Sequence, residues 1–409
     1  MDSVKQLPLI SIFVASTLAA GCASVTKTQP GILSNLLDEA NNSAGKQVSN
    51  SPQTHPVYLQ PYIAQNKKTG LRDQVLVNMR AGVTALEHGD HHITRRLMED
   101  AYTRIETIYA DNKAAKAARS NYVEEANKDF KGEPYERAMV GYYLGIADML
   151  NDNLQSAKTA FSWGEYQDTM SAGEEYQADM TSLMFLRGWA KHCAGETSAA
   201  KDDFAAANLT PQQNANLLVL IESGQGPVKY ASGKHSEKLK FKAAPQTDNG
   251  FIKIKFNEQN FYPDKIEDLV HQATTRNGRS IDAILQGKAE FKDSTKNVAD
   301  VAAATATASL TYANVSSMYG DHNSAQNASA IGALFALGSL VAGAMSENTI
   351  PEADTRQWNN LPRFIHAQTM FADDDYALSD IVVSGEFGEV KIKPQQTGQC
   401  YFAWHKVSG

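Results

Sequence analysis

LGIADMLNDNLQSAKTAFSWG, residues 144–164, and RGWAKHCAGETSAAKDDFAAA, residues 187–207, are two copies of one pattern. Gly145 and Gly188, Ala157 and Ala200, and Phe161 and Phe204 each stand 43 positions apart. Constant displacement marks a duplicated unit. Asp152 and Gly195 interrupt each copy with residue types that tolerate turns. The Ala and Phe of each copy are four apart, so they share one helix face, the small residue leaving room that the aromatic fills. Each copy therefore reads as two helices joined by a tight turn. A weaker third copy lies upstream, with Gly82, Gly89, Met98 and Ala101 at the same internal spacing and Thr94 in the Ala place.

Leu144-Gly145 followed by Ala157-x-x-x-Phe161, and Gly188 followed by Ala200 and Phe204, resemble the tetratricopeptide (TPR) repeat. Pro211 falls one place earlier than the late proline of that signature. Asp148 and Lys191 stand where the family has an aromatic, Gly141 and Met184 where it has Trp, and Arg187 where it has Leu. The period also exceeds the family's usual value of about 34 residues. The resemblance implies a concave face built from the first helix of each unit, holding an extended peptide. On that reading Asp148, Arg187 and Lys191 line the groove and select a polar partner; the alternative places them on the solvent side. Phe161 and Phe204 are both expected to be buried.

Working outward, Leu7–Ala20 is an apolar segment too short for a stable span, ending Leu18-Ala19-Ala20-Gly21-Cys22. It resembles a bacterial lipobox, which implies cleavage before Cys22 and acylation of that residue. Multiple acyl chains anchor firmly where one would be marginal. Ala23 and Ser24, with no Asp after the Cys, resemble lipoproteins sent to the outer membrane, facing the periplasm. Residues 22–55, rich in Ser, Asn, Gln, Thr and Pro, read as a flexible tether. Helical periodicity begins near Asp73, another helix is expected over Ala114–Phe130, and the repeat domain extends over 56–212.

Beyond residue 213 the period changes. Leu217-Leu218-Val219-Leu220-Ile221 predicts a buried strand, and Phe251–Phe256 a half-exposed one. Phe364–Phe371, Ala377–Val383, Glu389–Ile392 and Cys400–Trp404 are further strand candidates. The class is α+β: a helical repeat domain followed, over 213–409, by a mixed, mostly antiparallel β domain. An Ala/Gly-rich helical insertion at about 294–350 interrupts it. There Val298–Val315 and Ala328–Met345 read as a buried hairpin of small-residue helices, with membrane insertion the alternative.

A net charge of −8, which no Lys/Arg run or aromatic-studded basic patch contradicts, argues against a nucleic-acid partner. Besides Cys22 only Cys193 and Cys400 remain. Oxidising conditions would permit their pairing, but Cys193, near the end of a repeat helix, reads rather as a small buried thiol. His88, Asp90, His91 and His92 could ligate a metal, yet they fall on a turn without supporting ligand spacing. Asp373-Asp374-Asp375 lacks the pattern of a calcium loop, and Gly233-Lys234 lacks that of a phosphate loop. No metal site, cofactor or catalytic constellation is identified. Asp354-Thr355-Arg356-x-Trp358-x-x-Leu361-Pro362 reads as a structural clamp, because Arg356 can pair bidentately with a carboxylate and Trp358 buries a large surface.

The lipobox, Pro134-Tyr135-Glu136-Arg137, the repeats, Gly226-Pro227-Val228-Lys229 and the Asp354–Pro362 segment together resemble a functionally uncharacterised family of proteobacterial lipoproteins with TPR-like repeats. The resemblance implies a lipid-anchored adaptor that binds an envelope protein or peptide, with cell-envelope assembly as its context, and transfers no catalytic residue. The alternatives are a cell-wall or glycan-acting enzyme with its site in the C-terminal domain, or a membrane-active component using the Ala/Gly-rich helices.

Overall fold

The computed structural model describes residues 56–110, 129–169, 179–245, 250–275, 352–373 and 377–407. Cys22, the tether, nearly all of the helix expected over 114–130, and the 294–350 insertion lie outside these residues. So do Asp374 and Asp375.

Short 3-10 turns flank α1 (Gln60–Thr69) and lead into three helical hairpins. These are α2 (Gln74–Glu87) with α3 (His91–Ala110), α4 (Pro134–Leu150) with α5 (Leu154–Thr169), and α6 (Thr181–Cys193) with α7 (Thr197–Ala206). One geometry recurs in all three. The first helix carries a glycine whose missing side chain admits the residue 16 positions later, on the second helix. A Cβ on Gly82 would lie 2.6 Å from Met98, one on Gly188 2.8 Å from the Phe204 ring, and one on Gly145 closer still to Phe161. Seven residues after each glycine the chain turns through a positive φ, at Gly89 (74°), Asp152 (59°) and Gly195 (82°). The sequence spacing is thus a packing spacing.

Helix α4 starts sharply. Pro134 occupies its first turn, Glu133 is the N-cap, and the Glu136 carboxylate accepts from the Glu133 N–H at 2.8 Å, closing a capping box. Phe161 is fully buried between helices, but Phe204 is only partly buried. The second copy is the last hairpin, so among the described residues no further helix pair covers α7. Phe130, assigned to a helix from the sequence, is instead irregular backbone whose N–H donates to Arg72 O at 2.8 Å.

Strands β1 (Leu217–Ser223), β6 (Asp264–Asp268), β7 (Phe364–Met370), β10 (Gln395–Thr397) and β11 (Cys400–Lys406) form a five-stranded sheet in the order β10-β11-β1-β7-β6. Its β1–β11 pair is parallel and the others antiparallel. A second sheet, β5-β4-β8-β9, is wholly antiparallel; it comprises β4 (Lys253–Phe256), β5 (Gln259–Phe261), β8 (Ile381–Gly385) and β9 (Gly388–Ile392). A separate hairpin joins β2 (Val228–Ser232) to β3 (Lys238–Lys242), and the short helix α8 (Leu269–Thr275) follows β6.

Every residue of β1 is buried, because each of its faces meets a different layer. Leu218 and Leu220 share a core with the helices, with Ile365, Ala367 and Phe402. Leu217, Val219 and Ile221 share another with Ile254, Ile381 and Val383 of the second sheet. The result is three layers: helical hairpins, central sheet, outer sheet. The change of period near residue 213 marks a change of element, while helices and strands on either side of it share one core.

Candidate functional site

The sheet packs on the first helix of each hairpin. Helix α4 is buried along its whole length up to Met149, and α2 and α6 over most of theirs. Tyr143 of α4 reaches Glu222 of β1, Glu87 of α2 reaches Lys406 of β11, and Ser182 of α6 reaches Glu267 of β6. The polar groups caught in this seam form three clusters.

In the first, the β1 residue Glu222 is completely buried. Its carboxylate accepts from Tyr143 Oη at 2.8 Å and from Trp404 Nε1 at 2.9 Å. Lys406, next along β11's inward face, bonds Glu87 at 2.6 Å and the Asn360 carbonyl at 2.7 Å, tying α2 to the sheet. Burial pushes the Glu222 carboxyl up to about 7, against the lowering influence of Lys406 and of these hydrogen bonds.

In the second, Glu136 accepts from Lys229 Nζ at 2.6 Å and from the Trp358 N–H at 3.0 Å, and both charged side chains are sealed from solvent. Arg356 pairs with Asp354 and, at 2.7 Å, with Asp73 just before α2. The guanidinium of Arg356 and the ammonium of Lys229 lie 5.4 and 5.3 Å from the centre of the Phe130 ring. Asp354, Arg356 and Trp358 thus form a clamp, but one that joins the segment before β7 to the helical layer.

In the third, Glu267 of β6 reaches the start of α6, accepting from Ser182 N at 3.4 Å and Ser182 Oγ at 3.3 Å, and from Gln272 Nε2 at 2.9 Å. Burial raises this carboxyl to about 7 as well, and the nearby Asp168 adds to the rise. A helix N-terminus favours an anion, yet here desolvation outweighs it.

The charges assigned to a groove sit elsewhere. Asp148 is buried and held by Arg95 of α3 at 2.7 Å; burial raises its carboxyl, and Arg95 opposes that. Arg187 and Lys191 both converge on Asp203 of α7, at 2.8 and 2.7 Å, and Arg187 also contacts Glu165. Burial alone would raise Asp203, but these two partners hold it below the usual carboxylate range. All three proposed partner-binding residues are internal ties between helices. First-helix positions face neighbouring helices here because the other side of each first helix is taken by the sheet.

Cys193 and Cys400 form a disulfide, with Cα atoms 5.2 Å apart, correcting the reading of Cys193 as a buried free thiol. The end of α6 abuts the β10–β11 turn, where Gln399 N also donates to Cys193 O at 3.0 Å. The histidine-rich turn is a packing feature: Tyr58 stacks on His88 with centroids 4.2 Å apart and donates to Asp90 at 2.8 Å. Among the described residues no group of three His, Cys, Asp or Glu side chains could hold a metal, and no helix is long and apolar enough to cross a membrane.

Ser223 Oγ lies 3.0 Å from His366 Nε2, a spacing compatible with nucleophile and base. Ser223 is nearly sealed (3 % exposed), so the contact satisfies a buried hydroxyl. Sequence reasoning missed Glu222, which looks like the polar end of an apolar run. It also missed the basic face of the β2–β3 hairpin, whose signal was the lysine alternation over residues 238–242.

The buried carboxylates set a pH response. A carboxyl with a folded value near 7 and an unfolded value near 4.3–4.5 is protonated in the fold first. Its contribution is fully present below the unfolded value and is lost as pH rises towards 7. The loss is roughly 3 kcal/mol for each of Glu222 and Glu267. Thermal melts should therefore fall between pH 5 and 8. Glu222→Gln, which mimics the protonated acid, should flatten that fall; an unchanged slope would contradict the assignment.

No protein-family model, no curated protein and no solved structure matches this chain.

Proposed function

We propose that this protein is a lipid-anchored adaptor of the bacterial envelope. Its TPR-like hairpins form a scaffold closed on one side by its own sheet, and partners meet the opposite side. The observation that carries this reading is the recurrence of the glycine contact 16 residues along in all three hairpins. It supports stacking of equivalent units, and with the first helices covered, the outer helices α3, α5 and α7 are left to present a surface. That surface is polar, with Glu99 and Glu106 on α3, Thr159 and the 55 % exposed Tyr166 on α5, and Lys201 on α7. Arg187 and Lys191 serve this scaffold by locking α6 to its neighbours. The lipobox ending in Cys22 supports the anchor and the outer-membrane location.

The test is purification of the native protein from membranes, followed by intact mass and identification of co-eluting proteins. The mature chain should begin at Cys22 with acyl mass, and one envelope protein should co-elute in fixed proportion. Cys22→Ser should move the protein to the soluble fraction. A different first residue, or no acyl mass, would overturn the anchor; recovery without any partner would overturn the adaptor.

A further inference from the structure

The chain is acidic, but one hairpin reverses that balance. Between Pro227 and Lys242 it carries five lysines and a single glutamate, in a protein with 46 acidic and 38 basic residues. Alternation separates them. Lys229, Ala231, Leu239 and Phe241 face the body: Lys229 pairs with buried Glu136, Leu239 packs with Ala353, and Phe241 meets Tyr135 edge-on at 5.7 Å. The other face carries Lys238, Lys240 and Lys242, all exposed, with Tyr230 directly across from Lys240. Lys242 Nζ stands 5.5 Å from the Tyr230 ring centre.

The glutamate is absent from that face. Glu237 is 7 % exposed and turned into its own loop, where its carboxylate accepts the His235 N–H at 3.0 Å and crowds Gly233, whose φ is 97°. The body side is fixed by Lys229 N donating to Gln357 at 2.7 Å and Ala353 N donating to Ser236 O at 2.9 Å. Three ammonium groups about 7 Å apart along one strand are thus held outward on a rigid support.

We propose that this face docks the protein on an anionic lipid surface, with Lys238, Lys240 and Lys242 against headgroup phosphates and Tyr230 at the interface. The inference rests on the lipid-anchor reading. Residues 23–55, rich in Ser, Asn, Gln, Thr and Pro, separate the anchor from the body, so the anchor alone would not set the body's orientation, and a basic face would fix it. A protein partner fits less well, because lysine is depleted in protein interfaces and no arginine stands on this face. Lysines on an exposed hairpin also discourage edge-to-edge pairing, but that role would give no dependence on lipid charge.

The test uses the full chain carrying Cys22→Ser, so that no acyl chain contributes, sedimented with vesicles. Binding should be stronger to vesicles containing phosphatidylglycerol than to phosphatidylcholine alone, and should weaken as salt shortens the screening length. K238E/K240E/K242E should lose on the order of 100-fold in affinity for the anionic vesicles. The milder K238Q/K240Q/K242Q should lose part of it while melting at the wild-type temperature. Equal binding to neutral and anionic vesicles, wild-type affinity in the neutralised variant, or tighter binding to polyglutamate than to anionic vesicles would overturn the proposal. Acyl mass on the native protein together with any of these outcomes removes the docking face and leaves the anchor standing.

Discussion

Replacing Lys229 by Met should lower the unfolding free energy by about 3–5 kcal/mol, because it strands a charge that has no route to water. Glu136 is 0 % exposed and its carboxylate lies 2.6 Å from Lys229 Nζ. Without the lysine, the Trp358 and Glu133 N–H groups still donate to it, but two backbone dipoles do not neutralise a buried anion. Restoring apolar complementarity on both sides should recover much of the loss, since a buried ion pair is often no better than well-packed hydrocarbon. The double variant Lys229→Met/Glu136→Leu is therefore expected to be more stable than Lys229→Met alone, tempered by the lost capping box. Urea titration at constant m-value measures both effects. A shift below about 1 kcal/mol for Lys229→Met would mean the pair is solvated.

Removing the Cys193–Cys400 bridge should cost as much or more. The bridge joins residues 207 apart in sequence, and the chain-entropy model gives about 5 kcal/mol for a loop of that size. Neighbouring hydrogen bonds, among them Gly398 N to Asp152 at 2.7 Å and Gln399 Nε2 to the His192 carbonyl at 2.8 Å, hold the same junction. The oxidised and reduced folds should therefore be alike. The effect belongs mainly to the unfolded chain, which the bridge keeps compact. Cys193→Ala/Cys400→Ala should unfold at markedly lower urea than the oxidised protein, and a reductant should shift the wild type to the same midpoint. An identical midpoint with and without reductant would contradict the assignment.

What could be read from the sequence follows from how local each cause is. The glycine, the turn and the bulky residue of each hairpin lie within 16 positions, so their mutual packing leaves a spacing that can be recognised. Strands β1, β4, β7, β8, β9 and β11 left an alternation or an apolar run. Glu222 left neither, because what buries it is Tyr143 from α4 and Trp404 from β11. Asp148, Arg187 and Lys191 stand out in the sequence as unusual first-helix residues, but which side of a first helix meets a second layer depends on strands far along the chain. Cys193 looked isolated because its partner is brought in by the final strand. The Lys238–Lys242 alternation was present in the sequence, but only its pairing with β2 shows that Lys229 faces the body and Tyr230 the solvent.

The central position of β1 also sets a timetable for the growing chain. Leu217 lies against Met370 on one side and Tyr401 on the other, so the strand at the middle of the molecule is made long before either neighbour. At ordinary translation rates, the interval between Leu217 and Lys406 is roughly 10–40 s. Until β7 is complete at Met370, β1 offers two unpaired edges beside the apolar faces of the helices, and the edge that β11 takes stays open until Lys406. Biosynthesis of this fold therefore passes through an obligatory sticky phase, and whatever escorts the nascent chain must let go only when its last strand has arrived.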